Sequence, residues 1–283
     1  MKKRYLAVVM SVVMSLSMVG CGSSTSTAAS STEDSTSAEA ASEDTAATDS
    51  DVDYIKNKGT LIVGITDFAP MDYKNDDGEW IGFDADLAKK VGEDLGVEVT
   101  FVEIDWDNKI LELENKSIDC VWNGMTLTDE VTSAMECSNA YCNNAQVVVV
   151  PSADADKYSD AASLSDLAFA VEAGSAGEAA AEENNLNYTA LSSQADTLME
   201  VEAGTSDACI IDLLMAGAMI GDGTSYTDLS HTVELTTEEY GVGCRKGSDL
   251  AAYINDEFKK FYDDGSMKEV GSTYGVQDAI VEQ

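Results

Sequence analysis

Positive charge is scarce in this sequence. It contains 53 aspartates and glutamates against 16 lysines and arginines, which gives a formal net charge of −37. A chain with this balance repels nucleic-acid phosphates and anionic lipid headgroups, so the composition argues against nucleic-acid binding. Arginine is especially rare, since Arg4 and Arg245 are the only two. The guanidinium groups that grip a carboxylate with paired hydrogen bonds are therefore almost absent.

Histidine and closely spaced cysteines are also lacking. His231 is the only histidine, and the six cysteines include no Cys-x-x-Cys pair, which argues against a metal centre. The sequence has no Gly-x-Ser-x-Gly elbow, so no set of nucleophile, base and orienting group is visible. We predict no metal, no cofactor and no catalytic residue. Only Cys137 and Cys142, which flank a turn-like segment, are placed to form a disulfide.

The first 20 residues resemble a lipoprotein signal peptide. A basic start at residues 1–4 is followed by an apolar run at residues 5–19, which is too short to span a bilayer as a mature helix. Gly20 and Cys21 come next, and in signal peptides of this kind cleavage precedes the cysteine and lipid is attached to its sulfur. We therefore predict a signal peptide over residues 1–20 and lipidation of Cys21. An ordinary secretory signal is the alternative.

A polar segment separates this leader from the rest of the chain. Residues 22–50 are Ser, Thr, Ala, Asp, Glu and Gly, and they cannot bury enough apolar surface to offset the entropy of ordering. We predict that residues 21–50 carry the lipid and form a disordered tether with a reach of roughly 30 Å. The remaining residues are numerous enough for two lobes. They contain no uninterrupted apolar run long enough to cross a membrane.

Strand-like and helix-like patterns alternate through residues 51–283. Residues 83–95 predict a half-buried helix, because Leu87, Val91 and Leu95 recur every four residues with charged residues between them. Several predicted strands are apolar throughout, which indicates a parallel sheet covered on both faces. The predicted strands are residues 60–65, 97–104, 118–122, 146–150, 168–172, 186–191, 208–211 and 239–244. The other predicted helices are residues 108–114, 177–184, 195–203, 213–220, 249–262 and 267–274.

Seven short segments occur in a characteristic order and spacing. They are Gly-Thr-Leu-Ile-Val-Gly at 59–64, Gly-Phe-Asp-Ala-Asp-Leu-Ala at 82–88, Asp-Trp-Asp at 105–107, Asn-Gly-Met-Thr-Leu-Thr at 123–128, Ala-Gly-Ser-Ala-Gly at 173–177, and residues 208–212 and 241–247. Together they resemble the amino-acid-type (family 3) extracytoplasmic solute-binding lipoproteins of ABC importers. The resemblance covers the whole mature domain.

This resemblance implies an α/β architecture, the type II periplasmic-binding-protein fold. Two α/β lobes are joined by two hinge strands, which map to about residues 144–150 and 237–242 of this sequence. Residues 51–144 together with 242–283 form lobe 1, and residues 145–241 form lobe 2. Loops at the carboxyl ends of parallel strands converge on a crevice, where helix N-termini point backbone N–H groups at a ligand. We therefore expect the solute to lie between the lobes.

Lobe 1 supplies most of the predicted site. The resemblance implies that Phe68 and Trp106 pack against the solute, since an aromatic face can cover an alkyl stem or attract a cation. Ordinary lobe core is the alternative for both. It also implies that Asn123, Gly124 and Thr126 hydrogen-bond the ligand. The same segment fits a plain strand-to-helix turn, and the two interpretations are compatible.

Lobe 2 supplies the remaining predicted contacts. Gly174, Ser175 and Ala176 precede a predicted helix, so their N–H groups either cradle a carboxylate or only cap the helix. Asp212 matches the acid that pairs with the ligand's α-ammonium in the resembling family. A buried carboxylate needs such a partner or must lose its charge, although capping of the next helix is an alternative for Asp212. Asp67 completes the predicted ligand-binding set.

One position departs from the family pattern. Seven residues after Gly124 the family carries an arginine that grips the α-carboxylate, and this sequence has Val131. Either backbone N–H groups near Thr126 and residues 175–177 hold the carboxylate, with Lys109 as a further donor, or the solute has no carboxylate. Acids in or near the predicted cleft favour a positively charged ligand. These acids are Asp67, Asp72, Glu172 and Asp212.

The sequence therefore predicts a lipid-anchored, monomeric binding protein at the extracytoplasmic face of the cell membrane. It would deliver a polar amino acid or a related cationic amine to an ABC permease. Two alternatives stay open: a lipid-anchored sensor that presents its ligand to a membrane receptor, and an enzyme like the cyclohexadienyl dehydratases that share the fold. Such enzymes need a cation for their carboxylated substrate, which the missing arginine disfavours.

Cys21→Ser removes the sulfur that lipid attachment requires. We expect the wild-type chain, made in a bacterium that processes lipoproteins, to enter the detergent phase of a phase-partitioning extraction. The variant should stay in the aqueous phase, and the neighbouring change Ser23→Ala should behave as wild type. A wild-type chain that remains aqueous would contradict the predicted anchor.

Overall fold

The computed structural model describes residues 50–283, which form two β-sheets with helices packed on them. The predicted signal peptide, Cys21 and the predicted tether up to residue 49 lie outside the described residues. Ser50, predicted as the end of the tether, instead caps a helix, because its hydroxyl accepts a hydrogen bond from the N–H of Asp53. No helix within residues 50–283 has the length and apolarity that crossing a bilayer requires.

The first sheet contains five of the described strands. In spatial order they are β4 (Glu98–Glu103), β1 (Thr60–Ile65), β5 (Cys120–Val121), β12 (Gly243–Cys244) and β6 (Glu136–Cys137). Strand β1 pairs in parallel with β4 and β5, whereas β12 runs antiparallel to β5 and β6. The helices of this lobe are α1 (Asp51–Lys58), α2 (Phe83–Leu95), α3 (Lys109–Glu114), α4 (Asp129–Ala134), α8 (Leu250–Asp263) and α9 (Ser266–Tyr274). A short hairpin, β2 (Tyr73–Lys74) and β3 (Trp80–Ile81), precedes α2.

The second sheet also contains five strands of the described chain. In spatial order they are β11 (Leu229–Tyr240), β7 (Cys142–Pro151), β10 (Ala208–Asp212), β8 (Ala168–Glu172) and β9 (Asn187–Leu191). Strands β10, β8 and β9 are parallel, and β7 is antiparallel to both β10 and β11. The helices packed on this sheet are α5 (Ala176–Glu183), α6 (Gln194–Ala203) and α7 (Leu213–Met219).

The predicted parallel pairing is present in both sheets, but each sheet is mixed, because antiparallel strands carry the chain between the lobes. The chain passes from β6 of the first sheet into β7 of the second, and it returns from β11 to β12. Apolar runs predict burial but not strand direction. Most of β11 was missed because polar residues alternate along it, and the strand predicted at residues 239–244 is split between the end of β11 and β12.

Helix α2 shows how local sequence fixes an element. Its apolar stripe, Leu87, Val91 and Leu95, is buried as the four-residue spacing predicts. Gly96 ends the helix with φ at +75°, and its N–H donates to the carbonyl of Gly92. Both faces of each sheet are buried: alternate residues of β8 and β10 pack into two separate apolar clusters on opposite sides of the second sheet. The predicted burial on both faces is confirmed.

The five cysteines in the described residues are free thiols. Cys142 is buried at the start of β7, and Cys137 is half-buried in β6. The pair that the spacing allowed to bridge is therefore not joined. Cys120, Cys209 and Cys244 lie in apolar strands, where cysteine packs as a small hydrophobic residue.

Asp119 is a fully buried acid that ties α1 to the end of the first sheet. Its carboxylate lies 2.5 Å from Lys58 Nζ and 3.3 Å from Arg245 Nη2, and it accepts the N–H of Ile62 at 2.8 Å. Removing one partner of a buried ion pair leaves uncompensated charge, which costs about 3–5 kcal/mol. The contribution of this network to the free energy of unfolding is therefore mainly the cost of leaving one of its charges buried without a partner.

Asp119→Ala should lower the free energy of unfolding by about 3 kcal/mol or more in urea titrations. Glu103→Ala is the matched control, because it breaks an ion pair with Lys74 in which both side chains are exposed. The control should cost less than about 1 kcal/mol. Equal losses in the two variants would contradict the role assigned to Asp119.

Candidate functional site

A cavity of about 280 Å³ lies between the two lobes and is lined by residues from both. The carboxyl ends of β1, β5, β8 and β10 all lead to it. Nine of the ten residues predicted to bind the ligand line it: Phe68, Trp106, Asn123, Gly124, Thr126, Gly174, Ser175, Ala176 and Asp212. Its size suits one small solute molecule.

Asp67 is the predicted site residue that the structure does not bring to this cavity. It lies in a neighbouring groove with Tyr73, Met219 and Tyr274. Phe68, the next residue, is 2% exposed and points into the cavity. Phe68 forms an isolated backbone bridge to Asp72 and lines the cavity, whereas Asp67 lines the neighbouring groove, so the two adjacent residues face different pockets.

The turn after β5 forms one wall of the cavity and is held by buried acids. Gly124 has φ at +55°, and a Cβ there would lie 2.6 Å from Phe68 Cε1, so the position requires glycine. The N–H of Gly124 donates to Asp84 Oδ2 at 2.6 Å, and Asn123 Nδ2 donates to Asp72 Oδ2 at 2.8 Å. These groups, which the resemblance assigned to the ligand, are therefore engaged within the protein.

Burial raises the pKa of both supporting acids. The pKa of Asp84 rises to about 7, although hydrogen bonds from Tyr141 and from the N–H of Gly124 oppose the rise. The pKa of Asp72 rises well above its usual value because of burial and the nearby Asp84. Neither side chain lines the cavity, so of the four acids that favoured a positive ligand, only Glu172 and Asp212 face it.

Asp212 lies at the end of β10 and is surrounded by uncharged donors. Its carboxylate accepts hydrogen bonds from Asn144, Gln146, Gln194 and Tyr240. Burial and the proximity of Glu238 raise its pKa well above the usual value. Although α7 begins at the next residue, no capping hydrogen bond from the Asp212 side chain is present. Asp212 is thus a buried acid whose acceptor positions are largely filled.

A hydrogen bond across the lobes joins the turn to strand β11. Thr126 Oγ1 donates to Glu238 Oε1 at 2.9 Å. The same oxygen accepts from Asn144 Nδ2 at 2.7 Å and Gln146 Nε2 at 2.8 Å. Since both amides also bond Asp212, the two acids share their donors. The Thr126 hydroxyl therefore forms a direct contact between the two lobes.

The segment before α5 is capped by the protein itself. Ser175 Oγ accepts the N–H of Glu178 at 3.1 Å, and the Glu178 carboxylate accepts the N–H of Gly174 at 2.6 Å. The capping interpretation of this segment is therefore the one that the structure shows. A ligand carboxylate at this place would meet the carboxylate of Glu178 close by.

The cavity wall carries little positive charge, because Val131 is apolar and Lys109 is its one cation. Val131 lines the wall and is buried, so the place of the family's arginine is apolar here. Arg245, the only arginine within residues 50–283, is committed to Asp51 and Asp119. Lys109 is the one lysine in the wall.

Lys109 also bridges the lobes. Its Nζ donates to the carbonyl oxygens of Gly174 at 2.8 Å and Trp106 at 3.2 Å, and it lies 5.0 Å from the centre of the Trp106 ring. Burial lowers its pKa, and nearby acids, among them Glu130 and Glu172, oppose that effect. The sequence suggested Lys109 only as an additional donor.

Glu172 ends β8, and its side chain is 2% exposed. Its Oε1 has no hydrogen-bond partner among the described residues. Burial raises its pKa to about 8, against the opposing effect of Lys109 and of the nearby polar groups of Gln194 and Thr66. Gln194 was missed by the sequence analysis, although its place as the first residue of α6, after a predicted strand, could have indicated it.

The described residues contain no group of three or more His, Cys, Asp or Glu arranged to hold a metal ion. The site is instead a small polar cavity between two lobes, with aromatic side chains, one lysine and buried acids in its wall. Residues 61–277 match the family described as bacterial extracellular solute-binding proteins, family 3. The chain belongs to this family. Its fold is the type II periplasmic-binding-protein fold.

Three relatives illustrate the range of this family. The L-cystine-binding protein TcyJ of Escherichia coli K12 is 25% identical over 224 residues, which cover 78% of this chain and 84% of TcyJ. The arginine-binding extracellular protein ArtP of Bacillus subtilis is 29% identical over 225 residues, covering 75% and 85%. The crystal structure of AncCDT-1, an ancestral amino acid-binding protein and precursor of cyclohexadienyl dehydratase, superposes with a TM-score of 0.73. It is 31% identical and covers 80% of this chain and 99% of its own.

The raised pKa of Glu172 has a consequence for stability. The unfolded chain releases the proton near its usual value of 4.5, whereas the folded protein keeps it until about pH 8. Because the pKa is higher in the folded state, the carboxyl group lowers stability increasingly as pH rises through this window. The slope is at most about 1.4 kcal/mol for each pH unit.

Near pH 4.5, the lower end of that window, Glu172→Gln should therefore melt at about the same temperature as the wild type. As pH rises to about 8, the melting temperature of the variant should exceed that of the wild type by a growing margin. Differential scanning calorimetry of ligand-free protein measures this margin. Glu202→Gln is the control, since Glu202 is exposed on the same lobe and should give no pH-dependent margin. A margin for Glu172→Gln that does not vary with pH would contradict the raised pKa.

Proposed function

We propose that this protein binds one polar amino acid or related cationic amine in the cavity between its lobes and delivers it to an ABC permease. The observation that carries the proposal is the cavity itself, which is lined from both lobes and has two buried acids but one lysine in its wall. Aromatic side chains on one side and carboxylates on the other suit a nitrogenous solute with an apolar stem.

The relatives support the amino-acid class. TcyJ and ArtP are named for binding L-cystine and arginine, which are both polar amino acids. Their identity to this chain is 25% and 29%, so the guest of this protein has to be inferred from its own residues. Val131 and Lys109 are the residues that bear on this, because they set how a carboxylate is held.

Binding should favour the closed arrangement of the lobes. A guest that contacts Trp106 of one lobe and Glu172 of the other binds both only when the lobes approach each other. Closure therefore gains free energy from contacts that the open protein lacks. The closed form is then the one that a permease would recognise, with the predicted lipid at Cys21 holding the protein at the extracytoplasmic membrane face.

The proposal is tested with a panel of solutes against the purified protein. Thermal-shift screening of the twenty amino acids, amines and polyamines, followed by calorimetry, should identify at least one ligand with a Kd of about 1 µM or below. The ligand recovered after denaturation should be chemically unchanged. A panel without any binder, or recovery of a converted product, would overturn the proposal, and a converted product would indicate the dehydratase-like alternative.

Delivery to a permease is tested separately in cells. Deletion of the gene should reduce uptake of the radiolabelled ligand, and restoring the wild-type gene should recover it. Neighbouring genes for a permease and an ATPase would agree with this result. Normal uptake in the deletion strain, together with a lost transcriptional response to the ligand, would favour the sensor alternative.

Trp106→Ala should weaken ligand binding at least about tenfold, which corresponds to about 1.4 kcal/mol. The side chain is buried in the cavity wall, so its removal takes away an apolar face that the guest would cover. Trp80→Ala is the matched control, because Trp80 lies in β3 and does not line the cavity. Calorimetry should give near wild-type affinity for the control, and equal losses in both variants would contradict the assignment of Trp106.

A further inference from the structure

The buried charges of the cavity do not balance. Glu172 and Asp212 are each at most 3% exposed, and Lys109 is the only cation in the wall. Asp129 and Glu130 also line the cavity, but they are exposed, and water screens them. If all three buried groups are ionised, together they carry one uncompensated negative charge. Such a charge is costly unless a partner or a proton neutralises it.

The two buried acids differ in how they are satisfied. Asp212 accepts hydrogen bonds from four side chains, three at Oδ1 and one at Oδ2, so only Oδ2 retains an acceptor position. Glu172 has an oxygen without a partner, although it is just as deeply buried. Lys109 is near it but donates to the carbonyl oxygens of Gly174 and Trp106 instead. An unpartnered carboxylate oxygen in a cavity wall is an acceptor that a guest can use.

We propose that Glu172 binds a positively charged side-chain nitrogen of the guest, and that the guest is therefore a basic amino acid. This inference rests on the proposed function. A basic amino acid has an α-ammonium for Asp212, a carboxylate for Lys109 and a second cation for Glu172. Its net charge of +1 neutralises the buried groups. The aromatic faces of Phe68 and Trp106 then cover the aliphatic stem between the charges.

The bond that only a cation can form gives the specificity. A cationic guest displaces the proton of Glu172 and gains a charge-assisted hydrogen bond, whereas a neutral analogue of the same shape leaves Glu172 protonated and gains no such bond. A guanidinium can donate two parallel hydrogen bonds to one carboxylate, and an ammonium donates a single strong one. Arginine and lysine should therefore bind with higher affinity than their uncharged counterparts, and Glu172 accounts for the difference.

Protonation supports the same inference. Burial raises the pKa of Glu172 to about 8, so near neutral pH most molecules hold a proton on it. The groups that act on this carboxyl are Lys109 from α3, Asp196 and Gln194 from α6, and Thr66 after β1. A bound cation favours the charged carboxylate and displaces the proton. Binding of a basic amino acid near pH 7 should release up to about one proton from Glu172, and affinity should rise as pH approaches 8.

The test compares arginine with citrulline, which has the same shape and no side-chain charge, and lysine with norleucine. Isothermal titration calorimetry of the wild-type protein should show at least about tenfold tighter binding of the charged member of one pair. Glu172→Gln, which keeps the shape of the side chain, should abolish this preference and reduce the proton release. Glu202→Gln, an exposed acid on the same lobe, should retain both.

Each result has a distinct meaning. If the wild type binds the neutral members equally or more tightly, the inference is overturned and the proposed function stays intact. The same holds if the preference for the cation survives in Glu172→Gln. Binding of no amino acid or amine at all would overturn the proposed function itself. If Glu172→Gln does not fold, proton release by the wild type, measured in two buffers of different ionisation enthalpy, decides the question. No release on arginine binding would then contradict the inference.

Discussion

Over the residues that the structure describes, this protein buries more acidic side chains than it has buried cations to pair with them, and its structure depends on how those acids are neutralised. The chain has a net charge of −37, and Arg245, the only arginine within residues 50–283, is used at the base of α1. Acids buried elsewhere must be neutralised by uncharged donors, by protons or by a guest. Asp84 and Asp212 accept hydrogen bonds from uncharged groups, and burial raises the pKa of both carboxyls. Glu172 is the buried acid of the cavity wall for which donors do not suffice.

The fold explains why these acids lie together. Strands β8 and β10 are parallel neighbours, and each ends in an acid, Glu172 and Asp212. The carboxyl ends of parallel strands meet at one edge of a sheet, where side chains leave the core and face the opposite lobe. The two carboxyl groups are chemically similar, but their hydrogen-bond partners differ. Asp212 is held by four donors, whereas Glu172 keeps an oxygen for the guest.

Much of the fold was predictable, since long apolar periodicity determines it. Helix α2 and strands β1 and β8 have the predicted bounds, and nine of ten predicted site residues line the cavity. Strand direction was not predictable from burial patterns, and β11 was missed because it is half polar. Asp67 illustrates a further limit: it is adjacent to Phe68 in the chain, but its side chain lines a different groove, which depends on the folded backbone. The capture of the Gly174 N–H by Glu178 depends on folded geometry as well.

The replacement of the family's arginine by Val131 changes what orients a guest. An arginine offers two parallel hydrogen bonds to a carboxylate and so fixes its plane. Lys109 has three N–H donors, and two of them bond to carbonyl oxygens within the protein. A guest carboxylate therefore meets one remaining donor, which attracts it without fixing its plane. In the proposed complex, orientation then depends on the cationic groups of the guest, which would face Glu172 and Asp212.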